Sequence, residues 1–396
     1  MRNPIKTKLI LTLTVVFATA ALTIFTASGH NVSKRTIENP ADNTEVITTT
    51  TTRKIKVALL LDTSNSMDGL IDQAKSQLWN IVNELAAAKC EGAKPEIRIA
   101  LYEYGNDRLP ASEGYIRLVT PLTNDLDRIS DDLFKLSTNG GSEFCGHVIQ
   151  TATKQLDWSP DGNDLQVIFI AGNEPFTQGN VNYREACAEA KRRKITVNTI
   201  FCGNYEEGIR TNWKDGADIT GGSYMSIEQD RKTVYISSPY DDKIAELNNK
   251  LNNTYIEYGR EGKQKKEVQM IQDSNAKQYG KANEVNRAVS KSTHVYKNSS
   301  WDMVDASEEK GFEVSKVPAE QLPEQMKTMN DEQKQKYIAE KKAEREKIKA
   351  EILELSKKRE AYITAEKKKQ GEDDKMLDKS MINAIKKQAS DKKFEF

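Results

Sequence analysis

The residues from Val57 to Leu61 are apolar without alternation, the pattern of a strand covered on both faces. The strand predicted over 55–61 stops at Asp62. Beyond Gly69, Ile71, Ala74, Leu78, Ile81, Val82 and Leu85 fall on one stripe of a helix. Similar runs predict strands over 97–104, 115–119, 164–172 and 195–201, and helices over 124–136, from Cys145 to about Leu156, over 183–193 and over 241–255. Strands alternating with short helices predict an α/β, doubly wound, mostly parallel sheet.

After Gly259 the pattern changes to long runs of Gln, Lys and Asn. Trp301, Met303, Val304, Phe312 and Val314 are its few anchors, so residues 260–329 are expected to form an extended polar segment, partly docked. Asn330 opens a capping-box-like Asn-Asp-Glu-Gln, and a long charged helix or coiled coil is expected over 330–370. Ile348, Ile352, Leu355 and Tyr362 step by four and three like a coiled-coil seam. Arg345 and Arg359 interrupt that seam, so self-association through it is expected to be weak. Residues 371–396 read as a polar tail.

At the other end, Arg2, Lys6 and Lys8 precede an apolar stretch from Leu9 to Phe25, followed by Ala27, Ser28 and Gly29. This predicts an export signal over residues 1–29. The run falls short of the roughly 20 residues of a typical membrane span, so cleavage is expected, with a retained membrane anchor as the alternative. Residues 30–53, with threonine throughout 48–52, read as a linker, which leaves 54–259 for the sheet domain.

Composition adds two constraints. Lys and Arg number 59 and so do Asp and Glu, so the chain has no basic footprint for a nucleic-acid backbone and that class is set aside. Charged residues make up 30% against 37% apolar, and because the charge is concentrated after Gly259 the core is expected before it.

The candidate chemistry lies where the first strand ends. Asp62, Ser64 and Ser66 alternate in the loop that leaves it, so three oxygens can turn toward one point, as a magnesium-like ion requires. Capping of the following helix by Asp62 or Ser66 is the alternative. A glycine-rich loop over 138–146 has no Gly-Lys-Ser or Gly-Lys-Thr after it, which argues against a phosphate-binding loop. His30, His147 and His294 are scattered and no Cys-x-x-Cys exists, so zinc is not expected. No nucleophile, base and orienting acid can be paired, and an enzyme is not expected.

The Asp62-x-Ser64-x-Ser66 pattern resembles the metal-ion-dependent adhesion site (MIDAS) of von Willebrand factor type A domains. Gly140-Gly141-Ser142 is similar to that family's Gly-Gly-Thr, and Ala217-x-x-Thr220-Gly221-Gly222 to the stretch that ends many of its bacterial members. The resemblance covers residues 55–258. It implies a Rossmann-like fold with Mg2+ or Mn2+ held by Asp62, Ser64, Ser66 and Ser142 and completed by a Glu or Asp of a protein partner. The family's usual aspartate at the end of the fourth strand is Ala171 here. The resemblance therefore requires Asn173 or Glu174 to reach in, or a site with one carboxylate fewer and weaker metal retention.

In an exported chain four cysteines read first as disulfide candidates. The family fold would gather Cys145, Cys187 and Cys202 at the upper edge of the sheet, so Cys187 with Cys202 is expected, with Cys145 as competitor and Cys90 free. The function implied is a non-catalytic, adhesion-type protein-binding module of the bacterial cell envelope, in the periplasm or at the cell surface. The alternative is a metal-independent structural or scaffold protein of the envelope that acts through its C-terminal helix.

Overall fold

The computed structural model describes residues 52–228, 230, 235–370 and 377–396. The expected export signal lies outside the described residues, as does the linker up to residue 51. Strands β1 (Lys54–Asp62), β2 (Lys89–Cys90), β3 (Glu96–Tyr104), β4 (Ile116–Thr123), β5 (Leu165–Gly172), β6 (Thr196–Cys202), β7 (Tyr224–Ile227) and β8 (Phe394–Glu395) form two sheets. The large one runs β4-β3-β1-β5-β6-β7, with β4 antiparallel and every other pair parallel. β2 and β8 pair separately.

The apolar run of β1 is buried on both faces because helices cover both. Ile55, Val57, Leu59 and Leu61 join the core beneath α1 (Asp68–Ala87) and α2 (Leu126–Phe134). Ala58 and Leu60 point the other way, toward α3 (Cys145–Gln155), α4 (Tyr183–Arg192) and Trp213 of α6 (Trp213–Thr220), which follows the short α5 (Tyr205–Arg210). The chain builds β3 and β4 on one side of β1 and then crosses to β5 on the other. β1 and β5 therefore flank the switch point, where loops diverge to opposite faces and leave a crevice at the strand ends.

The remaining helices are α7 (Asp241–Asn252), α8 (Gly262–Gln278), α9 (Lys281–Ser292), α10 (Met303–Ala306), α11 (Glu324–Lys327), α12 (Asp331–Gln370) and α13 (Leu377–Ala389). Residues 260–292, expected to be extended, are two helices, and α9 packs on the outside of α1. The seam residues Ile348 and Ile352 of α12 are buried in the α1-side core, so that face is occupied within the chain. The two arginines that interrupt the seam are anchors. Arg345 pairs with Asp302 at 2.6 Å and Asp305 at 2.8 Å and lies over the Tyr255 ring at 4.0 Å, and Arg359 pairs with Asp241 at 2.8 Å.

The stretch read as a polar tail carries α13, whose Leu377, Met381, Ile385 and Ala389 enter the same core as β1 and β5. Phe394 then pairs with Cys90. From residue 51 to the C-terminus the chain is one unit. Among the described residues no helix is long and apolar enough to cross a membrane.

All four cysteines are free and buried, which corrects the expected Cys187–Cys202 bridge. Side-chain alternation along the sheet explains it. Cys187 and Cys145 lie in the core on the α3 and α4 side, whereas Cys202 and Cys90 lie in the core on the α1 side.

Candidate functional site

β1 delivers Asp62 to the switch point, where its side chain is fully buried. Oδ1 accepts the Ser64 backbone N–H at 2.8 Å, a local turn that fixes the loop carrying the next two hydroxyls. Oδ2 is buried without any hydrogen-bond partner. The Ser64 and Ser66 Oγ atoms stand 3.3 Å apart, and Asn173 Nδ2, from the loop after β5, donates to Ser66 Oγ at 3.1 Å. Asp62, Ser64, Ser66 and Asn173 thus form one connected chain of polar groups across the switch point. Neither Asp62 nor Ser66 caps α1, whose N-terminus has no side-chain cap.

The glycine-rich loop closes over this group. The Asn139 N–H donates to the Thr63 carbonyl at 3.0 Å, and Thr138 Oγ1 donates to Asp68 of α1. Gly141, at φ +142°, lies so close to the Gly105 carbonyl that a Cβ would stand 1.8 Å from its oxygen, so only glycine permits the approach. Ser142 is half-buried on this loop, and its hydroxyl has no hydrogen-bond partner among the described residues. Of the residues expected from sequence, Ser142 is therefore placed on the right loop but is not joined to the others.

The next residue, Glu143, was not anticipated. It is only 5% exposed, and its backbone N–H donates to Gln178 Oε1 at 2.6 Å. A Cβ on Gly105 would meet Asp62 Oδ1 and Glu143 Cγ, each at 2.8 Å, so the two acids flank one glycine. The sequence did hold a sign: a carboxylate directly after Gly-Gly-Ser, in a loop that must sit against β1. Ala171 lies in the core with its carbonyl accepting the Tyr104 hydroxyl at 3.0 Å, and it brings no oxygen side chain to the site.

Burial pushes the Asp62 carboxyl up to about 8; the Ser64 N–H works against this, and the nearby Glu143 and Glu174 add to it. Burial and then Glu174 push Glu143 up to about 7. Glu174 thus acts on both groups through its charge, while its backbone carbonyl accepts Trp213 Nε1 at 2.8 Å. Among the described residues neither Asp62 nor Glu143 has an ion pair, and no three His, Cys, Asp or Glu side chains converge as ligands. A hard cation here would rely on hydroxyl and amide oxygens together with one or two carboxylates. The orphaned Asp62 Oδ2, with the Ser64 and Ser66 hydroxyls beside each other on the same loop, fits that demand.

No curated relative matches the chain. Among solved structures, the conserved hypothetical protein BatB from Bacteroides thetaiotaomicron is similar at 16% identity and a TM-score of 0.34, covering 44% of this chain and 90% of that one. The SpRpn10 VWA domain is similar at 17% identity and a TM-score of 0.33, covering 44% and 87%. An aerotolerance-related membrane protein from Bacteroides fragilis is similar at 15% identity and 0.31, covering 44% and 93%. Residues 56–212 match the family model described as von Willebrand factor type A domain.

Proposed function

We propose that this domain is a non-catalytic protein-binding module whose switch-point site holds a magnesium or manganese ion through Asp62, Ser64, Ser66 and Ser142, with Asn173 or Glu174 beside them. The observation that carries the reading is the fully buried Asp62, whose Oδ2 is unpartnered, on the loop that also carries the neighbouring Ser64 and Ser66 hydroxyls. A buried carboxylate left uncompensated is costly, and a divalent cation is the group that would relieve it. Such an ion supplies a contact to an outside carboxylate, so the partner is a protein that presents Glu or Asp. The basic and apolar amino terminus supports placement in the bacterial cell envelope.

The alternative, a metal-independent scaffold, is favoured by Ala171, which leaves the end of β5 without a ligand. A pull-down from an envelope fraction with the wild type and Asp62→Asn, each with magnesium or with chelator, separates the two. Capture that needs both Asp62 and metal supports the first reading, and capture indifferent to both supports the scaffold.

A further inference from the structure

The site lacks a carboxylate at the end of β5, yet it contains a buried carboxylate that the family pattern does not assign. We propose that Glu143 supplies the second carboxylate of the cation site, so that the negative charge missing at Ala171 is delivered from the loop before α3. This rests on the cation-site reading given above.

Three observations support it. Glu143 is buried and its main chain is held on both sides, by Gln178 at its N–H and by the Cys145 N–H at its carbonyl, 3.2 Å away. Its side chain and that of Asp62 flank the same glycine, each 2.8 Å from where a Cβ on Gly105 would stand. No cationic side chain pairs with either acid among the described residues, and Asp62 Oδ2 is fully buried without a partner.

Elsewhere in this protein buried carboxylates are ion-paired, as Asp302 with Arg345, Asp241 with Arg359 and Asp273 with Lys291, or hydrogen-bonded at both oxygens, as Asp164 by the Lys54 N–H and the Ser159 hydroxyl. At the switch point two neighbouring acids, Asp62 and Glu143, have no cation among the described residues, and Asp62 Oδ2 has no hydrogen-bond partner. Two carboxylates neutralise a divalent ion, and charge count is what tunes the retention of a hard cation. The ion would then be held more firmly than Asp62 alone allows, and its pull on a partner's acid would be milder. The rival account is that Glu143 is a protonated structural group, and glutamine mimics that form in size and hydrogen bonding.

The test is calorimetric titration of Mn2+ into the wild type, Glu143→Gln, Glu143→Asp and Asp62→Asn. The wild type should bind one Mn2+ and Asp62→Asn should bind none. Glu143→Gln should bind at least about tenfold more weakly, and Glu143→Asp, which keeps the charge, should fall between them. Glu143→Gln within about twofold of the wild type, with Asp62→Asn silent, would overturn the role of Glu143 while leaving the cation site standing. Equal losses in Glu143→Gln and Glu143→Asp would overturn it as well, since shape and not charge would then matter. A wild type that binds no Mn2+ would remove the underlying reading and this inference together.

Discussion

Two regions of the protein bury carboxylates and treat them in opposite ways. In the outer helical layer each is ion-paired, two of the arginines serving two acids apiece. Arg287 joins Asp127 at 2.6 Å and Asp273 at 2.8 Å, Lys291 reinforces Asp273 at 2.9 Å, and Arg345 and Arg359 hold Asp302, Asp305 and Asp241. At the switch point Asp62 and Glu143 are as deeply buried and have none. Taking a carboxylate out of water costs several kcal/mol unless something compensates it, so the first arrangement is a structural lock and the second is, on the function proposed above, where a cation from outside would bind. Position in the fold matches this division. The locks join helix to helix, whereas the unpaired acids sit at the strand ends where this topology leaves a crevice.

The comparison breaks most visibly at a lock. Arg345→Met should destabilise the protein by about 3–5 kcal/mol, because it leaves Asp302 and Asp305 buried without their partner. Chemical denaturation with chelator present measures this, and a loss under about 1 kcal/mol would mean the pair is not a lock. Next, Ile385→Ala, at a fully buried position of α13, should cost about 2–4 kcal/mol in the same assay. A C-terminus that served only as a solvated tail would lose nothing.

Acid probes the locks through Asp273. Burial alone would raise its carboxyl, but Lys291 and Arg287 hold it well below the usual carboxylate range. Its folded-state value is thus depressed, so its stabilisation is complete above the ordinary value near 4 and is lost as pH falls toward the folded value. The stability difference between the wild type and Asp273→Asn should therefore be largest at neutral pH and shrink below about pH 4. A difference that grows on acidification would contradict the assignment.

What could be read in the sequence follows from how local each signal is. The strands and α1 are legible because both-face burial and a one-sided stripe leave direct marks, and the Asp62-Ser64-Ser66 loop because its three oxygens are close in sequence. The outer layer was not legible. Its arginines read as faults in a seam, since a buried Arg gains its meaning only from an Asp far away in the chain, as with Asp302 and Arg345. α13 did leave a mark, with Leu377, Met381, Ile385 and Ala389 spaced by four, but Lys379, Lys386 and Lys387 around them masked it. Cys187 and Cys202 were assigned to one edge, and the face each side chain takes, which decides against a bridge, was not fixed by that placement. Glu143 became significant only once the loop was seen to fold over β1.

The smallest effect is expected at the switch point itself. Asp62→Asn keeps an oxygen to accept the Ser64 N–H and replaces a carboxyl that burial already pushes toward its neutral form, so with chelator it should shift stability by less than about 1 kcal/mol. A loss as large as that of Arg345→Met would show that Asp62 is a structural group.

The central claim is that the unpaired acids form a cation site, and the melting temperature across a magnesium or manganese titration tests it most directly. The wild type should rise with metal, by the equivalent of about 2.7 kcal/mol at a hundredfold excess over the dissociation constant, because the unfolded chain has no preformed site. Asp62→Asn should stay flat over the same range. A wild type as unresponsive as Asp62→Asn would contradict the account.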